Sequence, residues 1–183
     1  DEAPGPASSE PMYANTFWRI LLQCERVFSG ARCDFVGKCS PVHFFWGGFD
    51  LAVTRFSGRP APEREGPAFM RDAYSQEVIS HGFWPGSPPV QEPSFYAYAV
   101  PAPAGFESIA VEPSAAYYHR ELGEFILPYE SVRTAPDPDR DLRAFLDSTY
   151  GQAAALAGGD RAALERPASR RSTTSATIVE GAG

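Results

Sequence analysis

Imidazole beside carboxylate can hold a metal ion or pass a proton, and this chain carries His43, His81 and His119 with Asp50, Glu77 and Glu121 close in sequence. Each histidine falls in a stretch rich in aromatics. Two readings are open. Convergence of His43, His81 and His119 with Asp50 or Glu121 would make an enzyme, metal-assisted or not. Otherwise each histidine is a hydrogen-bonded, aromatic-like residue packing a half-buried sheet face, since spacing alone cannot bring separate strands together.

The run from Pro41 to Phe56 carries the other chemistry. Gly47-Gly48 between two apolar stretches reads as a two-residue hairpin turn. That register sets Trp46 against Phe49, Phe44 against Leu51 and Val42 against Val53, all on one apolar face. The reverse face pairs Phe45 with Asp50, His43 with Ala52 and Pro41 with Thr54, which makes His43 and Asp50 diagonal neighbours. An acid in so apolar a hairpin is paired, solvated, or a polar anchor in a ligand cavity. Arg55 alternates with Leu51 and Val53, so it belongs to the apolar face, and near the strand end a rim position is expected for it. Trp46, Phe83, Trp84, Tyr96, Tyr98, Tyr117 and Tyr118 could line a pocket with polar tips, or simply pack the core. Gly82 and Gly86 bracket Phe83-Trp84-Pro85 and suggest a tight bend.

Familiar signatures are absent. The chain has no Gly-x-Ser-x-Gly elbow, no phosphate loop, no dinucleotide glycine pattern and no His-Glu-x-x-His. Cys24, Cys33 and Cys39 match neither a disulfide framework nor a zinc knuckle, so they read as free, buried thiols in a reducing cytoplasm. A catalytic Cys39 lacks a histidine and asparagine that can be set beside it.

Two helices and a sheet must position these groups. Phe17, Ile20, Leu21, Cys24 and Phe28 form one helical stripe, starting near Ser9 and Pro11 and stopping at Gly30. Asp137-Pro138 opens a second helix with Leu142, Phe145, Leu146, Tyr150, Ala153 and Leu156 on one face, ended by Gly158-Gly159. Asp160 then caps a short helical piece through Leu164. Strands are expected at 76–83, 95–100 and 124–127. The segment 114–122 reads either as a helix or as a strand holding His119 beside Glu121. Residues 57–68 read as a long surface loop.

The expected architecture is α+β, a mostly antiparallel sheet of about five strands with two long helices packed on one face. The expected domain is 11–166, between a flexible lead-in (1–10) and a disordered tail (167–183). At 183 residues and a formal charge of −7, the chain is one domain in size and repels phosphate backbones, which argues against nucleic acid. Its apolar runs are too short for a membrane span, and no leader pattern opens it.

Several long words, among them Phe35 to Pro62, Ser80 to Gly86, Phe95 to Tyr98 and Tyr117 to Tyr129, resemble a bacterial family of domains of unknown function, number 5996. The likeness covers most of residues 13–166. Members of that family carry a further N-terminal portion, so the resemblance implies the C-terminal half and a site incomplete if both halves build it. It implies no activity. The leading expectation is a ligand-binding or scaffold domain that contacts a small molecule through His43, Trp46, Asp50, His81, Tyr96, Tyr98, His119 and Glu121, with no metal. Cofactor and oligomeric state stay open. Subunit association is a third reading, for which a large exposed apolar patch would be the signature.

Overall fold

Two helices with one apolar stripe each need a common surface to bury it against, and in the computed structural model that surface is one face of a six-stranded antiparallel sheet. Residues 10–62 and 75–167 are described. The expected lead-in except Glu10, which opens the first helix, most of the expected tail and the second half of the expected 57–68 loop lie outside them. In chain order the elements are α1 (Glu10–Cys33), β1 (His43–Phe45), β2 (Asp50–Pro60), β3 (Gln76–Trp84), β4 (Ser94–Val100), β5 (Tyr117–His119), β6 (Glu124–Pro128), α2 (Tyr129–Arg133), α3 (Pro138–Leu156) and α4 (Arg161–Leu164). The strands lie side by side as β1-β2-β3-β4-β6-β5. No helix among the described residues is long and apolar enough to cross a membrane.

Period-two alternation sorts side chains to two faces. Leu51 and Val53 of β2, Phe83 of β3, Phe95 of β4, and Phe125 and Leu127 of β6 form one core. The stripes of α1 (Leu21, Cys24, Phe28) and α3 (Leu142, Phe145, Leu146) close over it. Asp137 caps α3 by accepting from the Arg140 N–H at 3.0 Å, and Asp160 does the same for α4 from Ala163. Gly158, at φ 63°, ends α3: its N–H reaches Ala155 and that of Gly159 reaches Ala154.

His81 sits in the same core, fully buried, with Nε2 2.9 Å from the Thr149 hydroxyl of α3. Thr149 donates its own proton to the Phe145 carbonyl at 2.6 Å, so Nε2 of His81 must be the donor between them. Burial holds the imidazole well below its usual 6.5, and the Arg55 charge adds to that. Thr149→Val keeps the volume and orphans a buried N–H. It should cost about 1–2 kcal/mol in urea unfolding at neutral pH. No loss would mean that the bond is not made.

Several expectations need correction. The hairpin register is as expected, with Phe44 opposite Leu51 and Phe45 opposite Asp50. The turn, however, spans the four residues 46–49, and its left-handed residue is Phe49 at φ 56° rather than a glycine. A Cβ at Gly48 would come within 2.5 Å of Asp50 Oδ1, so that carboxylate would have to turn. The sheet has six strands, not about five, because the ambiguous segment yields β5. That strand ends at His119, so Glu121 falls in the turn and does not share its face. Helix α1 runs through Gly30 to Cys33, since a lone exposed glycine costs only ~1 kcal/mol and does not stop a packed helix. β2 continues through Ser57 to Pro60, with a register irregularity around Gly58, at φ 81°, where three residues of β2 stand against one of β3. Leu156 lies exposed past the core, and Cys33 is exposed rather than buried.

Candidate functional site

Arg55 is 5% exposed, the opposite of the rim position expected from its place in the strand. It points to the helix-covered face with Leu51 and Val53, paired in register with Ile79. Nη2 donates to the Ala31 carbonyl in the last turn of α1 at 3.0 Å, where the helix dipole favours a cation. The guanidinium carbon lies 4.3 Å from the Tyr150 ring centroid, over its face, and 5.9 Å from that of Phe35. Nε and Nη1 are buried with no acceptor among the described residues.

Among the described residues no counter-ion neutralises this charge in contact. Burial and the neighbouring Glu165 carboxylate push the Tyr150 phenol up to about 12, so it is neutral at ordinary pH. Burial likewise raises the Cys39 thiol. Asp147 is held by Arg143 at 2.8 Å. The guanidinium nonetheless stays charged, because even with its pKa lowered by burial arginine does not deprotonate in proteins. Leaving so buried a charge unpaired costs several kcal/mol.

Two clefts meet at this residue. The larger, about 200 Å³, lies between the C-terminal end of α3 and strands β2–β4, walled by Ile79, Ala99, Ala153 and Leu164. The smaller, about 80 Å³, holds the ion pairs Arg143–Asp34, Arg143–Asp147 and Arg161–Glu165. Phe35, Arg55, Tyr150 and Arg161 line both. The arrangement is an apolar chamber with Arg55 in its wall, the acceptor-less Nε and Nη1 lying covered beneath the lining side chains. It can bind an acceptor group and shield the rest of a small molecule from water.

The opposite face of the sheet carries a second polar cluster. Tyr96 of β4 lies across Gly82 of β3 and donates to Asp50 of β2 at 2.5 Å. A Cβ at Gly82 would collide with the Tyr96 ring, so Gly82 serves this crossing and not the bend expected there. Ala52, Val90 and Ile126 pack around the same ring, with Tyr98 and Leu122 at the edge. Glu124 of β6 belongs to this cluster: burial, then the Asp50 charge, lifts its carboxyl from 4.5 to about 7. The folded chain therefore holds this proton where the unfolded chain has lost it. The contribution is complete below about pH 4.5 and disappears as pH rises to about 7. With solvent screening at a partly exposed carboxyl it amounts to about 1–2 kcal/mol. Glu124→Gln should lack that share of the decline in stability between those pH values. Identical pH profiles for variant and parent would show that the carboxyl ionises freely.

The expected contact residues do not form one constellation. His43, exposed on the edge strand β1, packs on Phe45 with ring centroids 4.7 Å apart, while the carboxylate of Asp50 turns to Tyr96. His119 is on the other edge strand and accepts from the Leu122 N–H at 3.4 Å. His81 is on the reverse face. The three imidazoles thus stand in three places, and among the described residues no group of three or more His, Cys, Asp or Glu could hold a metal ion. Asp50, Tyr96 and Tyr98 do meet, and stacked rings link the two tyrosines at 6.0 Å. Trp46 is 80% exposed at the hairpin tip, beside Phe49, and Glu121 is exposed in its turn. Arg55 is the residue that sequence reasoning undervalued. Its signal was a charge in step with Leu51 and Val53.

One family model, described as a family of unknown function (DUF5996), matches residues 2–166. No curated protein and no solved structure matches the chain.

Proposed function

Because the chain belongs to the family of unknown function DUF5996, its own residues must supply the reading, and we propose that it is a ligand-binding domain whose site is the pair of clefts around Arg55. One observation carries this: a charged guanidinium, almost wholly buried at the wall of an apolar chamber, whose Nε and Nη1 lack an acceptor among the described residues. A methionine would fill that space without the cost of an unpaired charge. The guanidinium is useful if a bound molecule completes its hydrogen bonds. Three free thiols support a reducing compartment, and we assign the chain to the cytoplasm.

Native mass spectrometry of the full chain, purified without denaturation, tests the reading. The expected spectrum contains a small-molecule adduct that Arg55→Met loses. The reading falls if neither chain carries one and no small organic acid, amide or alcohol at millimolar concentration shifts the melting temperature.

The face bearing His43 and Asp50 is a second reading, favoured by the Tyr96–Asp50 hydrogen bond and the raised carboxyl of Glu124. There the domain would contact a ligand or partner through Asp50, Tyr96 and Tyr98, with an affinity that changes around neutral pH.

A further inference from the structure

We infer that the ligand of the Arg55 clefts is a compact monocarboxylate, its carboxylate on the free edge of the guanidinium and its apolar body in the chamber between α3 and strands β2–β4. This rests on the binding-site reading above and adds the chemical class. Charge balance comes first. Of the cations lining the larger cleft, Arg59 is bound to Glu77 at 2.5 Å and also donates to the Ala157 and Gly158 carbonyls. Arg161 is bound to Glu165 at 2.6 Å. Among the described residues Arg55 has no acid in contact, and since Asp34 and Asp147 of the smaller cleft share the one Arg143, there is room for at most a single added negative charge.

The helix end sets the upper limit on that charge. Ala153, Ala154 and Ala157 bring the C-terminal end of α3 to the cleft, and the carbonyl end of a helix repels added negative charge. A phosphate dianion favours the opposite end of a helix. Shape agrees: Nη2 has a second N–H beside the one given to Ala31, and with Nε or Nη1 it forms the two-donor edge that fits the two oxygens of a carboxylate. Size follows from the alanines. Their short side chains leave about 200 Å³. That is below the ~300–1,000 Å³ typical of drug-sized ligands and about the volume of seven waters, enough for roughly ten non-hydrogen atoms.

Titration calorimetry on the full chain tests this with sodium phenylacetate, the neutral phenylacetamide and inorganic phosphate. Phenylacetate should bind saturably, at least tenfold more tightly than phenylacetamide, and phosphate should not bind. Arg55→Met and the cleft-filling Ala157→Leu should each weaken phenylacetate at least tenfold, the second without touching the guanidinium. Equal binding of the amide, binding of phosphate through Arg55, or phenylacetate binding that survives Arg55→Met would overturn the carboxylate assignment. If none of the three binds but native spectra still show an Arg55-dependent adduct, the class is wrong and the site stands. If the adduct is missing too, and no small organic acid, amide or alcohol shifts the melting temperature, both fall.

Discussion

Arg55→Met should make the ligand-free chain more stable, by about 1–4 kcal/mol. The sign is unusual for a buried residue and follows from the partners that are missing. A methionine side chain occupies similar space on the apolar face beside Val53 and Ile79 without carrying a charge out of water. Little is orphaned in exchange, because the Ala31 carbonyl still accepts the Asp34 N–H at 3.3 Å. The stacking on Tyr150 is lost, at up to ~2 kcal/mol for a desolvated pair, which places the net gain toward the lower half of the range. Urea unfolding at pH 7 with an unchanged m-value measures it. A loss of about 3 kcal/mol or more would instead identify Arg55 as part of a satisfied structural pair.

Gly82→Ala has the opposite sign and should cost about 3–5 kcal/mol. A methyl at position 82 takes the space of the Tyr96 ring, which is itself 9% exposed and tied to Asp50. Displacing the ring breaks a charge-assisted hydrogen bond worth about 1.5–3 kcal/mol and disturbs its packing on Ala52 and Ile126. The clash is with one side chain, so the two positions must be strongly coupled. In a Tyr96→Ala background the same substitution should cost less than ~1 kcal/mol. An equal cost in both backgrounds would place the strain in the β3 backbone.

The elements of this fold were readable because each has a local cause. The α1 and α3 stripes, the Asp137-Pro138 cap and the Gly158-Gly159 stop act within a few residues of chain. So does the hairpin alternation, which set its register correctly even though the turn is longer than Gly47-Gly48 implied. What stayed hidden depends on the order of strands. Phase along β3 could put His81 with Ile79 and Phe83, but not say that this face is the one turned away from His43. The crossing of Tyr96 over Gly82 needs β2, β3 and β4 to be adjacent, and no spacing in one chain encodes that. Arg55 was hidden for a different reason: whether a charge on an apolar face ends at a rim or under a helix depends on where α3 and Phe35 close over the strand end.

The most direct measurement is the nitrogen–proton NMR signal of Arg55 Nε, assigned by its absence in Arg55→Met. In the ligand-free chain it should lie where an unbonded guanidinium resonates, then move downfield and saturate as sodium phenylacetate is added, with no response to phenylacetamide. A signal already far downfield and coupled to a carboxylate such as Asp147, unmoved by any added anion, would contradict the account.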